Sequence, residues 1–181
     1  IDEATGMSHA YSLKEKITGP LGLSETYYHW HDNLPNTTAQ GYYDLYNNGI
    51  ILNMSNYHTG SGNGYGGIYS TVKDIHTFLN ALLVDQTILS DSSLSEMMTF
   101  TTEQELDEKD EGRNLGLGLF KQSFNGQAAD EFAYGHGGRD LAYSADLYWF
   151  PKNNTRMAYL INYGTNGNTD LKEVFDNFRS E

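Results

Sequence analysis

The chain is predicted to fold as an α+β domain, an antiparallel sheet flanked by helices. Three features of the sequence predict it. Apolar residues recur at helical spacing from Val72 to Met98, the period drops to two between Leu115 and Tyr163, and helical spacing returns at Leu171, Val174, Phe175 and Phe178.

The 181 residues carry 11 Lys+Arg against 24 Asp+Glu, a net charge of −13. That charge argues against non-specific binding to nucleic acid and to anionic membranes, both of which need a basic surface. With no cysteine, disulfides, thiolate metal sites and cysteine nucleophiles are excluded. No apolar run approaches the roughly 18 residues of a membrane span. The apolar fraction of 38% and charged fraction of 19% suit a packed core rather than wholesale disorder.

Taken in order, Ile1-Asp-Glu-Ala4 reads as the interior of a helix with no cap before it, so residues upstream are expected. Ser8 can cap a short helix running to Ile17, which Gly19-Pro20-Leu21-Gly22 breaks. Residues 27–67 read as an ordered, irregular segment with one short strand at Gly49–Asn53. Thr71 and Asp74 resemble a capping pair for a helix in which Val72, Ile75, Phe78, Leu79, Leu82 and Leu83 recur at helical spacing. Ser90 or Ser92 opens another, with Leu94, Met97 and Met98 facing inward. The acidic run Glu103–Glu111 reads as a solvated loop. Leu115–Phe120, Ala133–Gly137, Tyr143–Phe150 and Arg156–Tyr163 read as strands, with a hairpin turn at Pro151–Asn154. Asp170 can cap the last helix.

Four patterns invite a chemical reading. Gly62-Asn-Gly64-Tyr-Gly66-Gly67 matches G-x-G-x-x-G, but a dinucleotide site needs a strand just before it, and the residues from Ser55 to Gly60 are not strand-like. It reads as a turn. His29 and His31 would meet one metal ion if they alternated on a strand and His58 joined them; histidines in an aromatic loop are more often surface or hydrogen-bonded residues, and no metal is assigned. Ser70-Thr-Val-Lys73 is a Ser-x-x-Lys pair, which on a helix sets an amine one turn from a hydroxyl nucleophile. Ser70 also sits where a helix cap belongs. The strongest signal is Tyr134-Gly-His136-Gly137-Gly138: glycines beside a histidine on a strand leave the backbone open to a ligand.

Together these segments resemble the serine β-lactamase and D-alanyl-D-alanine peptidase superfamily, in its class C β-lactamase-related branch. The stretches that carry the resemblance are Ile1-Asp-Glu-Ala-Thr-Gly6, Pro20-Leu-Gly-Leu23, Gly66-Gly-Ile-Tyr-Ser-Thr-Val-Lys-Asp-Ile75, Gly116-Leu-Gly-Leu119, Gly135-His-Gly-Gly138, Phe150-Pro151 and Leu160-Ile-Asn162. Their order and spacing, more than any one of them, make the likeness specific. It implies that residues 1–181 are one partial domain, the carboxyl-terminal part of a β-lactamase/transpeptidase-like fold. Such enzymes use Ser-x-x-Lys, Tyr-x-Asn and Lys-Thr-Gly or His-x-Gly boxes.

Only the third box matches in the family's order. Tyr46-Asn-Asn48 fits the second in letters but falls in the wrong place. By resemblance, His136 is the basic residue of the third box and is catalytic. Gly137, Gly138 and Arg139 bind substrate: the Arg139 backbone N–H donates to an oxyanion and its side chain attracts a substrate carboxylate. The resemblance further implies acylation of a serine by an amide, β-lactam or ester, with no cofactor. The partner expected is the absent amino-terminal part of the domain, which would hold the nucleophile, and the isolated chain is expected to be inactive, to self-associate or to swap elements between copies. A bacterial, extracytoplasmic setting is expected. Two rivals stand beside this reading. One is a non-catalytic module whose Tyr42, Tyr43 and Tyr65 grip a sugar or peptide; the other is a small complete hydrolase using Ser70 and Lys73.

Overall fold

The structure is a computed structural model that describes residues 1–57, 62–101, 113–124 and 131–164. The solvated loop expected at Glu103–Glu111 and the helix expected after Asp170 lie outside the described residues, as does His58.

Helix α1 (Asp2–Thr5) has no side-chain cap and stops at Gly6, which turns left-handed at φ 67°. Helix α2 (His9–Leu13) is capped by Ser8, whose Oγ accepts from Tyr11 N. Its continuation, Lys14–Thr18, widens to an i→i+5 turn closed by Gly19 N onto Lys14 O at 2.9 Å. The expected helix is present, loosened just before Gly19-Pro20.

Two small antiparallel ribbons pin the irregular segment. Strand β1 (Tyr27–Tyr28) pairs with β4 (Ile68–Tyr69), and β2 (Tyr42–Tyr43) pairs with β3 (Leu52–Asn53). The strand expected at Gly49–Asn53 is therefore confined to its last two residues. Helix α3 (Val72–Leu79) starts as its sequence predicts: Thr71 Oγ1 accepts from Asp74 N at 3.2 Å. It runs on through a wide turn at Asn80–Val84. Helix α4 (Asp91–Met97) is capped by Ser90, which accepts from Ser93 N.

The main sheet is an antiparallel meander in the order β5-β6-β7-β8-β9, formed by Arg113–Leu115, Phe120–Gln122, Ala133–Arg139, Ser144–Phe150 and Thr155–Ile161. One expectation is corrected here. Leu115–Phe120 is not one strand: its two end residues pair as the last of β5 and the first of β6, and Gly116 to Leu119 form the turn between them. Gly118 adopts φ 69°, which glycine alone adopts freely, and a Cβ on Gly116 would lie 2.5 Å from Met97 O. Alternating glycines imitate the period of a strand while serving a hairpin.

Side chains alternate across the sheet. On one face Tyr134, Leu147 and Trp149 pack against Leu79, Leu82 and Leu83 of α3 and its extension and against Leu94 of α4. Leu79 and Leu83 are 2% and 1% exposed; burial of each contributes about 1.5–3 kcal/mol. On the other face Ala133 and Tyr148 pack with Phe124, Phe150 and Met157. A third cluster of Tyr43, Met54 and Ala142 ties the irregular segment to the β7–β8 turn.

Candidate functional site

Strand β7 carries the glycine-flanked histidine. Six of its residues, Tyr134 to Arg139, pair with β8, whereas β6 reaches only Ala133, Tyr134 and Gly135. From His136 to Arg139 the strand therefore has one edge without a strand partner among the described residues. Backbone groups on such an edge can pair with an extended ligand or point at a developing charge.

The four residues divide by face. His136 and Gly138 lie on the face that packs against the helices, at a place where both are exposed. A Cβ on Gly138 would meet nothing within 4 Å, so room exists beside the imidazole. The His136 ring stacks on Phe120 at 4.2 Å, and the Arg113 guanidinium lies 4.6 Å from the same phenyl ring. Loss of hydration is the main force holding the His136 pKa below its ordinary value; a hydrogen bond with the Gly137 backbone opposes it, the Arg113 charge adds to it, and Asp146 opposes it.

Gly137 and Arg139 lie on the opposite face, beside Asp146 of β8. Asp146 is 1% exposed and is met by Arg139 Nη2 at 2.7 Å and Nη1 at 3.3 Å, with Tyr159 Oη donating to it as well. Arg139 Nη1 also donates to the carbonyls of Gly138 and Ala145, each at 2.7 Å. Burial disfavours the charged guanidinium, but the hydrogen bonds and charge of Asp146, with help from Tyr159, outweigh it and raise the Arg139 pKa. The carboxylate also explains Gly137: a Cβ there would sit 2.2 Å from Asp146 Oδ1. Sequence reading aimed the Arg139 side chain at a substrate carboxylate. The structure spends it on Asp146, so only the backbone of residue 139 is left for the open edge.

Beyond Arg139 the chain turns through Asp140–Tyr143, with Asp140 N donating to Tyr143 O at 2.9 Å. Tyr143 Oη donates to Ala39 O at 2.9 Å, and its ring meets Tyr69 edge-on at 5.4 Å. Burial, with Tyr143 and Asp140 adding to it, pushes the Tyr69 pKa up to about 12. The irregular segment thus buttresses the far end of the candidate edge.

The other sequence candidates fall elsewhere. Ser70 precedes Thr71, the cap of α3, so it is not on the helix with Lys73. Its Oγ is 2.8 Å from Thr26 Oγ1, which donates to buried Asp74 at 3.0 Å, a network that joins β1 to α3. His29 and His31 do not alternate on a strand, because β1 ends at Tyr28. His31 stacks on Tyr28 and His29 packs with Trp30 and Tyr69. Among the described residues no group of three or more His, Asp or Glu could hold a metal ion. The glycines at 62–67 form a left-handed turn entering β4. Tyr43 is a core residue at 2% exposure. What the sequence reading missed is Asp146, although its alternation with Ser144 and Tyr148 was a signal: a carboxylate on a buried face demands a nearby cation.

The residues and their spacing match the Beta-lactamase family model over positions 1–175. The fold is similar to that of a D-stereospecific amidohydrolase from Streptomyces sp., with TM-score 0.76 and 24% identity, covering 97% of this chain and 49% of that one. It is also similar to the D-amino acid amidase from Ochrobactrum anthropi SV3, in complex with L-phenylalanine, with TM-score 0.79 and 22% identity over 98% of this chain and 54% of the other. A penicillin binding protein from Bacillus halodurans gives TM-score 0.72 and 20% identity, over 98% and 52% of the two chains. The chain spans about half the length of these structures. With the antiparallel sheet, its flanking helices and the family match in agreement, the chain belongs to the β-lactamase family.

Proposed function

We propose that this chain supplies the strand-edge wall of an acyl-transfer site in a hydrolase that cleaves amide, β-lactam or ester bonds. The observation that carries this reading is the edge from His136 to Arg139, unpaired by any strand among the described residues and open above Gly138. A nucleophile, a base and an oxyanion hole must meet in one place for acyl transfer. Ser70 is engaged by Thr26 and does not share a helix with Lys73. The coverage of about half the solved relatives supports a nucleophile and base on the part of the fold that this chain does not span. That part is also the partner proposed for the edge. The two amidase relatives favour an amide among the three bond types.

In this reading a serine oxygen attacks the substrate carbonyl carbon, and its proton passes to the base. The carbonyl oxygen becomes an oxyanion and accepts from the Arg139 backbone N–H. The amine leaves with a proton, and water then cleaves the acyl-enzyme. His136, with its depressed pKa, is neutral near pH 7 and acts as a hydrogen-bonding wall beside the reacting groups. Gly137 and Gly138 let substrate backbone approach the edge.

A fluorophosphonate probe tests this. The protein with both halves of the fold should be labelled on a serine outside residues 1–181, and His136→Ala should slow labelling by about 10²-fold. Label on Ser70, lost in Ser70→Ala, would instead establish the small-hydrolase reading.

A further inference from the structure

Past Gly135, strand β7 keeps a strand partner on one side only among the described residues, and two of its next three residues are glycines. Glycine loses more backbone freedom on folding than any other residue. Holding Gly137 and Gly138 in one conformation on a half-open strand is therefore costly, and the Arg139 side chain lies across that stretch.

The register sets which way each peptide points. Asp140 N donates to Tyr143 O at 2.9 Å, so that rung of the β7–β8 hairpin is a bonded one. Rungs alternate in an antiparallel ladder. Gly138–Ala145 is thus bonded, while Arg139–Ser144 and Gly137–Asp146 are not, and the backbone groups of Gly137 and Arg139 point away from β8 to the open edge. The Gly138–Arg139 peptide is trans, so a Gly138 carbonyl turned toward β8 sends the Arg139 N–H the opposite way.

The guanidinium locks this arrangement. Arg139 Nη1 donates to both carbonyls of the neighbouring bonded rung, Gly138 O and Ala145 O, each at 2.7 Å. Nη1 and Nη2 also reach Asp146, one rung further on, at 3.3 and 2.7 Å. One side chain therefore spans the rungs from Arg139–Ser144 to Gly137–Asp146. Asp146 is 1% exposed, which makes its carboxylate a fixed anchor. The Gly138 carbonyl cannot swing without breaking a charge-assisted bond. A planar fork of donors meets carboxylate and carbonyls together; an ammonium does not.

We propose that Arg139 and Asp146 are positioning residues, a clamp that fixes the Gly138–Arg139 peptide with its N–H facing the open edge, where it serves the oxyanion. The role rests on the acyl-transfer reading of that edge. The side chain of residue 139 acts through its own backbone and never touches substrate.

Labelling of the protein with both halves of the fold by a fluorophosphonate, followed at several probe concentrations, separates the maximal labelling rate from probe affinity. Arg139→Met with Asp146→Leu removes the clamp without leaving a buried charge. Its melting temperature should stay close to the parent's, while the maximal rate falls at least about tenfold and the affinity changes little. Arg139→Lys keeps a charge beside Asp146 but gives up the fork, and should also slow labelling; it decides the matter if the double variant does not fold. Tyr159→Phe removes the other donor to Asp146 and leaves the guanidinium in place, so it should lower the melting temperature with the rate unchanged. A rate that simply follows melting temperature across these variants overturns the proposal, because the pair would then be structural alone. So does a double variant or an Arg139→Lys protein labelled at the parental maximal rate. A parent protein with no labelled serine overturns the acyl-transfer reading and the clamp's role with it, which tells the two failures apart.

Discussion

Replacing Arg139 with Met removes a cation from beside a carboxylate that has almost no access to water. Asp146 is 1% exposed, the Arg139 side chain is 29% exposed, and the two groups are 2.7 Å apart. At an effective dielectric near 20 their attraction is about 6 kcal/mol. Desolvation of the two ions offsets most of that, so the intact pair is worth little in net terms. Removing one partner is different. It leaves the carboxylate buried against Gly137 with Tyr159 still donating to it, at a cost of about 3–5 kcal/mol. The surviving Tyr159 bond and the partial exposure of Arg139 place the expected loss near the lower end, about 3 kcal/mol. Urea unfolding followed by circular dichroism measures it: with a slope of about 2 kcal/mol per molar, the midpoint should fall by about 1.5 M. The double variant Arg139→Met with Asp146→Leu removes both charges and should recover most of the loss. A single variant within about 0.5 kcal/mol of the parent would refute the reasoning, because the Arg139 side chain would then be free to reach a substrate.

The neighbouring glycines should respond in opposite ways. Gly137→Ala sets a Cβ 2.2 Å from Asp146 Oδ1 and should destabilise by about 1–3 kcal/mol, whereas Gly138→Ala meets open space and should stay within about 0.5 kcal/mol in the same urea assay. Acid should weaken the fold through His136. Its native pKa lies below the ordinary 6.5, so the unfolded chain takes up a proton that the native ring refuses. Stability falls as the pH drops through about 6.5, and the loss is complete below the native pKa. An NMR titration of the ring should find a midpoint under 6.5, and one at or above it contradicts the loss of hydration beside Phe120. Asp74→Ala should cost about 1.5–3 kcal/mol, since buried Asp74 accepts from Glu25 N and Thr26 Oγ1. Thr71→Ala should cost about 1 kcal/mol, and a urea midpoint unmoved by either would argue against the α3 cap network.

Local chemistry was legible in the sequence wherever a short-range rule decided the structure. Thr71, Ser8 and Ser90 each cap the helix their positions announce. The period-two run at Tyr143–Phe150 announced the strand found at Ser144–Phe150, and the open edge at His136 sits on the strand expected for it. Long-range geometry was less legible. The pairing of Tyr27–Tyr28 with Ile68–Tyr69 joins segments forty residues apart that share no pattern. Gly116 and Gly118 read as a strand because alternation looks the same whether glycine makes room for a turn or a side chain faces water. The direction of the Arg139 side chain depends on register: Arg139 opposes Ser144, which sets Asp146 diagonally across from it on the same face.

A crystal structure of the protein with both halves of the fold, trapped by a phosphonate on its reactive serine, would test the central claim most directly. The account predicts one phosphonyl oxygen within about 2.7–3.1 Å of the Arg139 backbone nitrogen, the His136 ring alongside, and the Arg139 side chain still bound to Asp146. A phosphonylated serine whose oxyanion position is served by other donors, with the 136–139 edge turned away from it, would contradict the account.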